Sequence, residues 1–276
     1  MRIVHINDCA FVGASLVKHL RDKGHDVKHI TRSRSFFSKT FGIALRILRT
    51  RNADIYHVHY ALQDAYVTRI LKRLDVLHCH GSDVRWRIDG AWGWIVKSNL
   101  RHAKKVLVST PDLLDRALEY NSTAEYLPNP VDAEFFKPSA FHHECCHKPR
   151  ALYFVLSYEQ LPSELESALA GAGFVLDKVA GRPFRFEEMP NVLSQYDLFI
   201  GCFTIDAFTK TCLEAMSCGL SAITYKDKGN FQERVNDLID AETRLKEGKK
   251  NREYILKYHE ASKITERLLK IYEDLL

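Results

Sequence analysis

The sequence predicts an α/β protein built from two doubly wound domains facing across a cleft. Three observations carry that reading. Short β-rich runs alternate with helical patterns through both halves of the chain, as strands and covering helices do in parallel sheets. A proline-punctuated stretch, "PNPVDAEFFKPSAFHHECCHKP", holding Pro128, Pro130, Pro138 and Pro149, interrupts the alternation midway. Polar and glycine-containing segments follow the apolar runs, where such sheets bind their ligands. The domains are placed at residues 1–140 and 149–250.

The elements follow in order. "RIVHI" reads as a strand, and "NDCAFVG" as the loop before a helix from about Ala14 to Lys23. "HDVKHIT" is a second strand. "SFFSKTFGIALRILRTR" then carries Phe37, Phe41, Leu45 and Leu48 at helical spacing. "ADIYHVHY", "DVLHCH" and "KKVLVST" are strands, separated by the helix "DAYVTRILKRL" and a helical stretch from Trp92 to Arg101. The helix "PDLLDRALEY" and the short strand "AEYLP" complete the first domain. In the second, "ALYFVL", "GFVLDKV", "DLFIGCF" and "SAITYK" are strands; "SELESALAGA", "EEMPNVLSQY" and "TKTCLEAMSCG" are helices. From about Phe231 the pattern is helical and charged to the end.

Composition narrows the class. The 276 residues suffice for two modest domains, and 46% apolar with 27% charged residues is ordinary for a soluble globular protein. No apolar run approaches the roughly 20 residues that span a bilayer, and "MRIVHIND" lacks the features of a signal peptide. Seven cysteines, an odd number mostly in apolar segments, fit reduced thiols and a cytoplasmic location. The net charge of +5 is unevenly spread: residues 27–53 hold seven Lys/Arg and no acid. That patch, across residues 28–51, suits an anionic partner such as an acidic membrane face. With no recognised module and only mild basicity, nucleic acid is not expected.

"FTKTCLEAMSCG" opens a helix with Thr209, Lys210 and Thr211 just after an apolar strand. Thr211 and Glu214 have the spacing of a capping box. A lysine at the positive end of a helix dipole is unexplained by capping, but helix-end amides, hydroxyls and a cation together suit a bound phosphate.

The series "DIYHVHY", "HCHGSDV", "VSTPDL", "LPNPVDAEFFKP", "LSQYDLFIGCF" and "DAFTKTCLEAMSCG" resembles the family 4 glycosyltransferases, retaining enzymes of the GT-B fold, from the first strand to about residue 225. The resemblance implies transfer of a hexose from a nucleotide diphosphate sugar, a UDP- or GDP-sugar, to a hydroxyl of a glycan, lipid-linked or small-molecule acceptor. The family's E-x7-E pattern reads here Asp206-x7-Glu214. It implies Asp206 facing the donor sugar, Glu214 on the ribose, and Thr209, Lys210 and Thr211 on the diphosphate. Gly13 matches the glycine-rich loop after the first strand, and His80 of "HCHGSD" matches the histidine that reaches the donor sugar. Asp206 and His80 are thus the catalytic candidates. Asp83, Arg85 and Trp86 fall on the acceptor side, with Trp92 and Trp94 as stacking or packing aromatics. No cofactor or metal is expected, since helix-end amides and cations would stabilise the leaving diphosphate. The resemblance also implies that a C-terminal helix, about 255–276, crosses back onto the first domain.

One departure bears on activity. Where the family carries an arginine and a lysine against the diphosphate, this sequence reads "LYFVLSYEQLPSELES", with carboxylates alone. Lys210 or Arg182 would have to replace them. Two alternatives to the transferase follow: a non-catalytic GT-B protein that binds a ligand or partner, and a sugar-nucleotide epimerase. The run His142–His147 reads as an exposed hinge, because Cys145 and Cys146 are adjacent and lack usual zinc spacing. His57 and His59 share one strand face as core histidines. The basic helix of residues 36–51 is either packed core with a solvated basic face or a membrane-facing element.

Overall fold

A computed structural model describes residues 1–32, 36–50, 52–139, 148–181 and 183–276, with residues 36–41 as backbone. Arg34, Arg51, Arg182 and the run His142–His147 lie outside the described residues. The chain divides into two units, residues 1–130 with 261–276, and residues 131–260.

Alternating apolar residues build the first sheet. Its strands are β1 (Arg2–Ile6), β2 (Asp26–Ile30), β3 (Ile55–His59), β4 (Val76–Cys79), β5 (Lys105–Val108) and β6 (Glu125–Tyr126). All pair in parallel in the order β2-β1-β3-β4-β5-β6. Because side chains alternate across a strand, Val4, Tyr56, Val58 and Leu77 enter one core layer, while Ile3, Ile55, Val76 and Leu107 enter another. The connecting helices are α1 (Val12–Asp22), α2 (Phe36–Leu48), α3 (Gln63–Ile70), α4 (Ser82–Arg85), α5 (Gly93–His102) and α6 (Leu114–Leu118). Ile43 and Ile47 of α2 are the buried pair, whereas Leu45 and Leu48 are exposed. Their spacing was helical, but the stripe that packs is offset from it.

The second unit repeats the construction with β7 (Arg150–Val155), β8 (Val175–Ala180), β9 (Leu198–Ile200) and β10 (Ser221–Ile223), parallel in the order β10-β9-β7-β8. Its helices are α7 (Ser163–Gly171), α8 (Met189–Leu193), α9 (Lys210–Ser217), α10 (Phe231–Asp237) and α11 (Ala241–Tyr258). β9 is shorter than its apolar run suggests. The amides of Phe203 and Thr204 turn away to Glu159 Oε2, at 2.8 and 2.9 Å. α11 lies so close to the turn after α9 that a Cβ on Gly248 would sit 1.8 Å from the Gly219 carbonyl oxygen.

The chain then returns to the first unit as α12 (Ala261–Glu273). Ile264, Leu268, Ile271 and Tyr272 recur at helical spacing and join Leu16, Val17 and Leu20 of α1 in one core layer. No described helix is long and apolar enough to cross a membrane.

Candidate functional site

In a doubly wound sheet, ligands bind beyond the strand carboxyl ends, where successive connections leave in opposite directions. In the second unit that point falls between β7 and β9. The loop after β9 brings Asp206, Thr209, Lys210, Thr211 and Glu214 to this edge. Asp206 is exposed, Thr209 and Thr211 are half-buried, and Glu214 is 4% exposed. Thr209 is the N-cap of α9, its hydroxyl accepting from the Cys212 amide at 3.3 Å. The capping box read from Thr211 and Glu214 does not form. Glu214 Oε1 instead takes Lys210 Nζ at 2.7 Å, one turn back along the helix. Burial pushes the Glu214 carboxyl up, and the Lys210 ammonium opposes that shift. Lys210 also lies over the Phe136 ring, 5.7 Å from its centroid.

Two further groups stand at this edge. Glu159, in the loop after β7, reaches across to the loop after β9. Besides the two amides, its Oε2 accepts from the Thr204 hydroxyl and, at 2.8 Å, from the Cys202 thiol. An internal carboxylate therefore occupies these amides at the end of β9. Lys226 follows β10, with Nζ 5.6 Å from the Phe208 ring centroid. Sequence reading passed over it; the signal available was a basic residue in the loop after the next strand.

In the first unit the corresponding point lies between β1 and β3. Among the described residues, Asn7, Ala10 and Phe11 after β1 and Tyr60 after β3 have positive φ, between 51° and 82°. Such backbone is strained for residues other than glycine, and its clustering marks a candidate site. Gly13 belongs to it: a Cβ there would meet Asp8 Oδ1 and His59 Nε2 at 3.1 Å, and its amide donates to Asp8 Oδ1 at 2.9 Å.

His80 is half-buried, its Nε2 2.9 Å from His59 Nδ1, and burial takes its pKa down to about 3. Asp83 is fully buried. It accepts from the amides of His80, Gly81 and Val84 through Oδ1 and of Ala61 through Oδ2, pinning the loop after β4 to that after β3. Arg85 is held by both carboxylate oxygens of Asp112, at 2.5 and 2.9 Å, and by the Thr110 hydroxyl. Trp86, Trp92 and Trp94 are each about half exposed. Asp83 and Arg85 thus hold the frame, while Trp86 presents open surface.

His57 and His59 are core histidines, as their alternation implied, but they are not alone. His5, His78 and His80 join them, and the rings of neighbours stack or tilt at 4.3–5.5 Å. The signal lay in "IVHI", "YHVHY" and "LHCH", three strands with histidines in the same phase.

Residues 35–135 match the model of Glycosyltransferase Family 4. No curated protein matches the chain. Among solved structures, sucrose-phosphate synthase from Thermosynechococcus elongatus superposes with a TM-score of 0.73 at 13% identity, covering 100% of this chain and 99% of that one. The catalytic domain of starch synthase IV from Arabidopsis thaliana, bound to ADP and acarbose, gives 0.67 at 12%, with 100% and 99% covered. The UDP-GlcNAc 2-epimerase of Methanocaldococcus jannaschii, in complex with UDP-GlcNAc and UDP, gives 0.53 at 12%, with 99% and 100% covered. At such identities these likenesses establish the fold alone. The chain has the GT-B fold, and the resemblance drawn from its motifs to the family 4 glycosyltransferases is matched by that family's model over residues 35–135.

Proposed function

We propose that the protein is a retaining glycosyltransferase that moves a hexose from a nucleotide diphosphate sugar to a hydroxyl acceptor. The observation that carries the reading is the set of residues at the β9–α9 edge. There Asp206, the Thr209–Thr211 turn and the Lys210–Glu214 pair share the ligand-binding end of a doubly wound sheet. The N-terminus of α9 and Lys210 would meet the diphosphate, Glu214 the ribose and Asp206 the sugar. Lys226 supplies a second cation on the same edge, in place of the basic pair that is missing after β7. The family resemblance assigns Gly13 and His80 to the donor sugar and Trp86 to the acceptor.

In the reaction the acceptor oxygen bonds to the anomeric carbon as the bond from that carbon to the phosphate oxygen breaks. The acceptor proton passes to the departing phosphate, so no protein base is needed, and the new bond forms on the face the nucleotide leaves. The diphosphate is stabilised by amides and cations without a metal. ADP and UDP occur in the related structures named above, which makes them, with GDP, the first ligands to try.

The reading also places the protein at an acidic membrane surface in the cytoplasm. Leu45 and Leu48 are exposed on α2, beside Lys28 and Arg49, along a groove of about 610 Å³. A lipid-linked acceptor fits that face.

Calorimetric titration with UDP, GDP and ADP, in chelator and then with Mg²⁺, tests the donor site. Binding of one nucleotide in chelator, followed by turnover of its sugar conjugate, is the expected result. A folded protein that binds none of them would instead be a non-catalytic relative, with Glu159 standing where the phosphate would lie.

A further inference from the structure

Period-two alternation sets a whole layer of imidazoles into the first unit. On the sheet face that starts with Ile3, Ile55 and Val76, the residues two and four positions on are His5, His57, His59, His78 and His80. Four of the five are fully buried, and His80 at the strand ends is half-buried. Five histidines are an expensive way to fill a core, because buried polar nitrogens need partners. His78 has none: both its ring nitrogens are buried without a hydrogen-bond partner among the described residues, and so is His57 Nε2. An unmade buried hydrogen bond costs on the order of 1–3 kcal/mol, so His78 calls for a ligand that the described residues do not supply.

We propose that His59, His78 and His80 bind one transition-metal dication of the zinc class. Each offers one nitrogen, and the three lie within 4.8 Å of one another. His59 Nδ1 and His80 Nε2 are 2.9 Å apart and bond to each other. Two imidazole nitrogens on a tetrahedral ion with bonds of about 2.0–2.1 Å stand roughly 3.3 Å apart, so the pair opens by about 0.4 Å to admit it. His78 then gains the partner it lacks. Half-buried His80, at the strand ends, provides the side from which the ion arrives and from which water completes the fourth position.

The surrounding hydrogen bonds prepare the ligands. His59 Nε2 lies 2.9 Å from His5 Nδ1, His5 Nε2 3.0 Å from the Tyr272 hydroxyl, and that hydroxyl 2.6 Å from His57 Nδ1. With the proton on His59 Nε2, donation runs from His59 to His5 to Tyr272 to His57. Every ring stays neutral and the His59 Nδ1 lone pair faces the ion. The donor set also chooses the metal. It contains nitrogen alone, and the nearby carboxylate of Asp83 is committed to four amides. Imidazole sets favour Zn²⁺, Co²⁺, Ni²⁺ or Cu²⁺ over Mg²⁺ or Ca²⁺. The inference shares His80 with the transfer reading but is tested without nucleotide, so either can fail while the other stands.

The test uses the full chain, stripped with chelator, with His142, His143 and His147 replaced by Ala and Cys145 and Cys146 by Ser, which removes a competing donor cluster. Co²⁺ is titrated and followed by visible absorption, then displaced by Zn²⁺. One equivalent, with the ligand-field bands of four-coordinate cobalt and no thiolate band in the near ultraviolet, is the expected result. His78→Gln and, at the exposed rim where folding is less at risk, His80→Gln should each weaken binding by about 100-fold. His29→Gln, outside the triad, should leave it unchanged. No saturable binding, a thiolate band, or equal affinity in folded His78→Gln and His80→Gln variants overturns the proposal.

Discussion

The Lys210–Glu214 pair decides between a structural and a ligand-binding reading of the α9 N-terminus, and Lys210→Met separates them. The side chains are 9% and 5% exposed and 2.7 Å apart, so removing the lysine strands a carboxylate among Phe136, Cys218 and the helix backbone. The stranded acid escapes by taking up a proton, which sets a ceiling on the damage. Protonating a glutamate with an ordinary pKa of 4.5 at pH 7 costs about 3 kcal/mol, and the cost falls by about 1.4 kcal/mol per pH unit. Lys210→Met should therefore lose about 3 kcal/mol at pH 7 but only about 1–1.5 kcal/mol at pH 5.5.

The sign follows from linkage. Without its lysine, Glu214 has a folded pKa above its unfolded one, so its contribution is present at low pH and is lost as pH rises through the folded value. Lys210→Met combined with Glu214→Gln should return to within about 1 kcal/mol of the parent, since no charge is left buried. Urea unfolding followed by far-ultraviolet circular dichroism reads these differences. Tryptophan emission provides an internal control, because Trp86, Trp92 and Trp94 all belong to the first unit and should not respond. If Lys210 also meets the diphosphate, both lysine variants should bind nucleotide about 10- to 100-fold more weakly, the double variant despite its recovered stability. A pH-independent loss, or a loss below about 1 kcal/mol at pH 7, would refute the buried-pair account. Unchanged nucleotide affinity in the double variant would return Lys210 to a purely structural role.

Three further outcomes follow from other parts of the molecule. His5 has its pKa lowered to about 3 by burial, with His29 and Arg21 adding to the shift, and His57, His59 and His78 are likewise held well below 6.5 by burial. Lowered folded values give stability that is present above pH 6.5 and lost on acidification. In chelator-treated protein the layer should lose on the order of a few kcal/mol between pH 7 and 5.5, seen as an early acid transition in tryptophan emission. A first unit equally stable at both pH values would contradict it. Gly248→Ala drives a Cβ into the Gly219 carbonyl and should cost about 3 kcal/mol in urea unfolding of the second unit, since backbone lies on both sides of the clash. Leu45→Glu with Leu48→Glu should abolish sedimentation with anionic vesicles while leaving thermal stability within about 0.5 kcal/mol, because both side chains are exposed. Sedimentation that persists would remove α2 from the membrane.

Most of the fold was legible because parallel strands buried on both faces write themselves as short apolar runs between helical patterns. "RIVHI" and "ALYFVL" needed no tertiary information to be read. What misled was phase and partnership. On α2 the spacing of Leu45 and Leu48 is helical, yet Ile43 and Ile47 face the sheet, and a periodicity cannot say which of two apolar stripes is covered. At α9 the spacing from Thr211 to Glu214 satisfies a capping rule, but Thr209 sits two residues earlier and takes the cap. Glu214 is then free to pair with Lys210, and burial makes that pair worth forming. The histidine layer shows the same limit on a larger scale. Each of "IVHI", "YHVHY" and "LHCH" is unremarkable alone, since one inward histidine in a strand is ordinary. Their meaning lies in register: His5 pairs with His57, and His59 with His78, across strands 52 and 19 residues apart. Sequence spacing carries the alternation that points each ring inward. Sheet order alone brings the rings together, and with them the buried His57 and His78 nitrogens that no described residue satisfies.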